Sequence, residues 1–199
     1  MGTQPPDQKI MLRAKMRDQL HKMTAAQRQT ASAKIRSRLE KQPVWRDSNT
    51  ILFFAPLPDE PDIWPLIADA IAFGKTVALP CFLPETEIYV ACRILNASVD
   101  VQIGKFGIRE PSPRCPEVPL NQLDFVLVPG VAFDVYGRRL GRGKGYYDRL
   151  LAQVGGKTCG VAFDEQIVDE VPAGPNDIDL NCILTPSRWI DPKQRAVLK

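Results

Sequence analysis

Histidine is almost missing from this 199-residue chain. His21 stands alone, which argues against an imidazole-based catalytic triad and against a multi-histidine metal centre. Cysteine occurs, but not in pairs. Cys81, Cys92, Cys115, Cys159 and Cys182 contain no Cys-x-x-Cys, and an odd, scattered set reads as reduced thiols rather than a disulfide framework or zinc site. Long apolar runs are lacking as well. The longest, residues 51–57, is broken by Pro56 and is far too short to span a bilayer, and the first 20 residues contain no signal-peptide core. These absences lead us to expect a soluble, cytoplasmic protein with no membrane partner.

What remains is the composition of a folded chain. With 44% hydrophobic and 25% charged residues, wholesale disorder is excluded. At this length folding buries roughly 70% of the unfolded surface, so no metal or disulfide is needed to hold a core. One domain over 1–199 is expected, with basic N-terminal helices at 1–46 and an α/β body at 47–199. The net charge of +3 is modest but uneven: residues 1–46 carry 11 Lys and Arg against three acids, so the remainder is acidic on balance. A basic segment on an acidic body suits either an anionic ligand or a solvated amphipathic face. Lys9 and Arg13 fall four apart and share a helix face.

Leu12, Met16, Leu20 and Met23 recur at helical spacing and predict a helix over 8–22. Thr24-Ala-Ala-Gln27 has the form of a capping box and opens a second helix to about Lys41. Strands are expected at 50–54, 76–79, 88–95, 123–128, 158–163 and 182–185, with helices from Asp62 to Gly74 and over 144–154. The proline-rich stretch 104–121 reads as a surface loop. Strands alternating with helices predict an α/β fold, a mainly parallel sheet with helices on both faces and the N-terminal helices packed against it.

The chemistry concentrates in Pro129-Gly-Val-Ala-Phe-Asp134 and Arg139-Leu-Gly-Arg-Gly-Lys-Gly-Tyr-Tyr-Asp148. Three alternating glycines let main chain approach a ligand, Arg142 and Lys144 stand between them, and a helix start follows. The pattern suits a polyphosphate, although a tight structural turn with solvated cations accounts for it too. It is neither of the two familiar phosphate loops. A Walker A loop needs glycine where Arg138 stands and Ser or Thr where Gly145 stands, and a dinucleotide fingerprint from Gly141 needs glycine where Tyr146 stands.

The same decapeptide, with Pro129–Asp134 before it, resembles the signature of the 5-formyltetrahydrofolate cyclo-ligase (methenyltetrahydrofolate synthetase) family. Lys9-x-x-x-Arg13, Asp59-Glu60, Phe106-Gly-Ile-Arg-Glu-Pro111, Gln166, Asn176-Asp177 and Ile183-Leu-Thr185 extend the resemblance along the chain. It implies cyclisation of 5-formyltetrahydrofolate, the small-molecule substrate, to 5,10-methenyltetrahydrofolate with ATP and Mg²⁺, releasing ADP and phosphate. By that resemblance Lys9, Arg13, Arg139, Leu140, Gly141, Arg142, Gly143, Lys144, Gly145, Tyr146 and Tyr147 hold ATP. Lys144 and Arg142 stabilise the moving charge. Ala55 and Glu60, with Arg142, Gly143, Lys144, Gly145 and Tyr146, contact the folate, Glu60 on its amino-pyrimidine edge. Asp148 and Asp177 bind Mg²⁺. No nucleic-acid partner is implied, and a monomer is expected.

The chain departs from the family pattern at Asn181, where an acid is common, and at Pro61-Asp62-Ile63, where a threonine is common. Duller roles stay open for several residues: Asp148 as a first-turn helix acid, Glu60 as a turn acid, Tyr147 as core, and Trp45, Trp64 and Trp189 as core or pocket wall. Asp134 and Gln166 read as structural hydrogen-bonders. Two other classes compete: an α/β enzyme holding a single phosphate without ATP, and a binding module using the basic helices for RNA or an acidic partner.

Overall fold

The computed structural model describes residues 5–104 and 107–192, the first two by backbone alone. Two helices come first, α1 (Pro5–His21) and α2 (Ala25–Glu40), then a short α3 (Pro43–Asp47) and strand β1 (Thr50–Leu52). The capping box is formed in full. Thr24 Oγ1 accepts the Gln27 N–H at 3.2 Å, and Gln27 Oε1 accepts the Thr24 N–H at 2.8 Å. Next come α4 (Trp64–Ala72), β2 (Thr76–Leu83), β3 (Ile88–Ile94), β4 (Val101–Ile103), β5 (Arg109–Pro111) and β6 (Glu117–Val118). The last part holds β7 (Phe125–Val128), β8 (Ala132–Asp134), β9 (Arg139–Leu140), α5 (Tyr146–Leu151), β10 (Lys157–Val161), β11 (Ile167–Val168), β12 (Cys182–Leu184) and β13 (Trp189–Ile190).

The main sheet runs β13-β12-β10-β7-β1-β2-β3-β6. Its central five strands are parallel, and the two ends turn antiparallel. All four residues of β7 are buried, as expected of a strand covered on both faces. Alternation divides them: Phe125 and Leu127 face the core under α2, α3 and α4, while Val126 and Val128 face the core under α5. Ile35, Leu39, Trp45, Leu66 and Ile67 supply the first covering, Leu150 and Leu151 the second. The sheet therefore carries helices on both faces. Helix α1 packs elsewhere, its Met16 joining Ala132, Leu140 and Val171 in a small separate cluster.

Three expectations need correction. Residues 104–121 are not simply a loop. Strand β5 pairs with β4, and β6 extends the main sheet, because proline is tolerated at such short edge strands; Phe106 of the family match lies outside the described residues. The final helix is shorter than 144–154, since Gly145 takes a left-handed conformation (φ 67°) just before it. Between β7 and the glycine-rich loop stands a hairpin, β8–β9, that short runs such as Arg139-Leu140 do not announce. Trp45 is core, and none of the three tryptophans lines the main cavity described next.

Candidate active site

The chain lays β2 on one side of β1 and, later, β7 on the other. Such a reversal in a parallel sheet opens a crevice beyond the carboxyl ends of the strands, because the two connections leave in opposite directions. The crevice here has a volume of about 1080 Å³. Its walls come from the segment after β1, from the long segment after β7, and from α1, β5 and residues 175–178.

Two buried side chains hold the β8–β9 hairpin in place. Asp134 Oδ1 accepts the N–H groups of Tyr136 (2.9 Å) and Arg138 (3.1 Å), and Oδ2 that of Val171 (2.9 Å). Gln166 donates to the Gly130 carbonyl at 2.7 Å and accepts the Phe163 N–H at 2.8 Å. These bonds bear out their reading as structural hydrogen-bonders. The hairpin turns Arg139 inward and delivers the loop Gly141–Gly145 to the mouth of the crevice. At its tip Gly143 has φ 103°, which a side chain rarely tolerates.

Cations gather around this loop. Arg13 Nε donates to the Gly141 carbonyl at 2.9 Å, tying α1 to the loop. Arg139 is buried and reaches Asp148 Oδ1 at 2.7 Å, while its Nε has no hydrogen-bond partner. Arg142 crosses the crevice to Asp59 Oδ1 (2.8 Å) and Glu60 Oε1 (3.2 Å). Lys144 is exposed and, among the described residues, has no ion pair. Because α5 has only six residues, its dipole is slight; the positive potential comes from these side chains.

The opposite wall is aromatic and acidic. Tyr89 and Tyr146 meet edge to face at 5.3 Å between ring centres, and each also meets Phe82. Glu60 Oε2 accepts the Leu57 N–H at 3.0 Å, so both its oxygens are engaged. Burial raises the Glu60 carboxyl above its ordinary range, against the lowering pull of the Leu57 N–H and Arg142. Tyr147 lines the cavity and also packs on both cores, so its packing role is real. Burial, with Glu60 and Tyr89 nearby, pushes its hydroxyl well above its usual value.

Two carboxylates offer hard oxygen to a cation. Asp148 is held by Arg139. Asp177 is held by Lys9 at 2.5 Å and by the Gly174 N–H at 2.6 Å. Burial works against ionisation of Asp177, but Lys9, the Gly174 N–H and Arg139 together keep its carboxyl below the usual range. Among the described residues no cluster of three His, Cys, Asp or Glu could cage a metal. The donor set fits Mg²⁺, which commonly takes one or two carboxylates and completes its shell with phosphate oxygens and water.

The residues that the resemblance assigns to ATP, folate and Mg²⁺ all line this cavity: Lys9, Arg13, Ala55, Glu60, the run Arg139 to Asp148, and Asp177. Sequence reasoning missed Tyr89 and gave no role to Glu110, since neither sits beside the glycine-rich signature. The family departures lie off the cavity wall. Asn181 Oδ1 accepts the N–H (2.9 Å) and hydroxyl (3.1 Å) of Thr158, and Asp62 Oδ1 accepts the Trp64 N–H (3.0 Å) at the start of α4.

The sequence model of the 5-formyltetrahydrofolate cyclo-ligase family matches residues 6–186. The chain is 31% identical over 177 residues to the 5-formyltetrahydrofolate cyclo-ligase of Escherichia coli, covering 87% of this chain and 97% of that one. It is 32% identical over 154 residues to that of Mycolicibacterium smegmatis, covering 71% and 75%. Among solved structures it is similar to the 5,10-methenyltetrahydrofolate synthetase of Aquifex aeolicus, with a TM-score of 0.84, 32% identity and 93% of each chain covered. The Mycoplasma pneumoniae synthetase, at 21% identity and a TM-score of 0.72, shares the fold, covering 89% of this chain and 98% of that one. With a match that runs from α1 to the turn after β12, this chain belongs to the 5-formyltetrahydrofolate cyclo-ligase family.

Proposed function

We propose that the protein is a carbon–nitrogen ligase that cyclises 5-formyltetrahydrofolate to 5,10-methenyltetrahydrofolate at the expense of ATP, with Mg²⁺, releasing ADP and phosphate. The observation that carries this reading is one cavity with two kinds of wall: Lys9, Arg13, Arg139, Arg142 and Lys144 on one side, Glu60 and the Tyr89–Tyr146 aromatics on the other. Its volume of about 1080 Å³ lies just above the usual range for single-ligand pockets, which is consistent with two substrates. A single-domain monomer acting in cytoplasmic folate one-carbon metabolism is part of the same proposal.

A formamide carbon is a weak electrophile, and its oxygen leaves only when derivatised. Transfer of the γ-phosphoryl group to the formyl oxygen solves both problems. N10 then attacks the formyl carbon, the carbon–oxygen bond breaks, its electron pair departs with phosphate, and the N10 proton is lost. The protein's part is alignment and charge neutralisation rather than covalent catalysis. Lys144 and Arg142 meet the charge on the transferring group, and Arg139 and Arg13 hold the phosphates. Asp148 and Asp177 would hold Mg²⁺, which would supply positive charge to offset that of the phosphates. The edge-to-face tyrosines and Ala55 offer a flat apolar surface to the pterin.

The test is an absorbance assay for the methenyl product from 5-formyltetrahydrofolate and Mg-ATP. Wild type turns over, and Lys144→Ala and Arg142→Ala each lose about 10²–10³-fold in kcat with the fold intact, the cost typical of removing one preorganised charge stabiliser. Wild-type activity in both variants removes the loop from the mechanism.

A further inference from the structure

Glu110, in β5, is a buried carboxylate that the family resemblance leaves without a role. It is 7% exposed and lines the cavity, yet its Oε1 has no hydrogen-bond partner. It has no ion pair among the described residues. The adjacent Arg109 turns away, its guanidinium carbon 5.1 Å from the centre of the Trp64 ring. Burial raises the Glu110 carboxyl above its ordinary range, opposed by the Phe82 N–H. A desolvated acceptor left unmatched costs stability, and such a group is normally paired in a native structure.

The surroundings are built to keep it there. Strands β4 and β5 pair so that Gln102 stands opposite Glu110, and Gly104, two residues on, lies under the carboxylate. A Cβ on Gly104 would fall 2.3 Å from the Glu110 carboxyl carbon, so only glycine leaves room for the group. In the same cavity stands Tyr89, one of the edge-to-face aromatics; burial and the nearby Glu110 push its hydroxyl up to about 12. Glu110 and Tyr89 line the same cavity, so a flat ring lying against those aromatics has an unmatched acceptor beside it. Glu60, by contrast, already has its two oxygens on the Leu57 N–H and Arg142.

We infer that Glu110 is a substrate-binding residue whose unmatched oxygen accepts an N–H hydrogen bond from the 2-amino group of the folate ring. This rests on the proposed folate site and deepens it, adding a contact from β5 to the one proposed for Glu60. A buried, charge-assisted pair of this kind contributes roughly ten- to a hundredfold in affinity.

The experiment measures binding of 5-formyltetrahydrofolate and of Mg-ATP separately by calorimetry, with thermal unfolding alongside, for wild type and Glu110→Gln. The expected result is a folate Kd raised at least about tenfold, an ATP Kd within about twofold of wild type, and an unfolding temperature no lower than wild type. A 2-desamino-2-methyl folate analogue should then bind wild type and variant alike, because the group that Glu110 grips is gone. If Glu110→Gln does not fold, Glu110→Asp carries the same expectation, since it keeps the charge but withdraws it by one methylene. Unchanged folate affinity in the folded variant, or an analogue that still tells the two proteins apart, overturns the assignment alone. Failure of wild type to bind the folate at all overturns the folate reading itself and this inference with it.

Discussion

Arg142 sits between two duties. In the structure it bridges Asp59 and Glu60 across the crevice, while in the proposed reaction it meets phosphate. Glu60 feels that bridge directly, because Arg142 opposes the upward push of burial on its carboxyl. Arg142→Ala should therefore make Glu60 titrate at a higher pH than in wild type, as read from its side-chain carboxyl resonance by NMR. The sign for stability follows. A raised folded pKa means ionised Glu60 costs stability at neutral pH, and the cost is relieved as pH falls through that pKa. An unmoved Glu60 titration would show that the bridge does not form in solution. Asp148 makes a second residue-scale case, being both a partner of Arg139 and the proposed Mg²⁺ ligand. Asp148→Asn should shift the Mg²⁺ dependence of turnover to higher concentration; an unchanged metal titration would remove it from the ligand set.

At the scale of elements, the β8–β9 hairpin decides where the glycine-rich loop can go. Asp134 is wholly buried and terminates three main-chain N–H groups from the hairpin turn and from Val171. Asp134→Ala leaves those donors without their acceptor, a loss of about 2–4 kcal/mol in urea unfolding, with activity falling because the loop loses its base. A loss under about 1 kcal/mol would mean that water replaces the carboxylate at little cost. The hairpin was not legible in the sequence. Strands of two and three residues carry too little periodicity, and their placement depends on the bonds of Asp134 to Val171 and of Gln166 to Gly130, which join residues 37 and 36 apart. The capping box at Thr24 was legible because both partners lie within three residues. Helix α5 was overextended because Gly145 was counted within the helix rather than as the left-handed residue before it.

For the molecule as a whole, the docking of α1 is the feature to watch. Its polar ties to the body include Lys9 to Asp177 and Arg13 to the Gly141 carbonyl, both at the cavity, with Met16 buried below them. The depressed Asp177 pKa contributes stability that is present above the unfolded value and lost as pH falls through the folded one. Hydrogen exchange should therefore show α1 amides losing protection under acid before those of β7. In Asp177→Asn the α1 amides should be less protected already at neutral pH, with little further acid response. Equal acid sensitivity of α1 in wild type and variant would detach that helix from the ion pair.

The sequence by itself determined the α/β character, the main helices, the buried β7 and the identity of the family, because these depend on local periodicity, capping and a contiguous decapeptide. It also determined which residues meet at the cavity, through motifs already grouped along the chain. Only the tertiary structure decided that the reversal beside β1 opens the crevice, that Arg142 spans it to Asp59 and Glu60, and that Glu110 waits there with an unmatched oxygen. Those outcomes depend on strand order and on which groups lose water together. Neither is a property of any short stretch of chain.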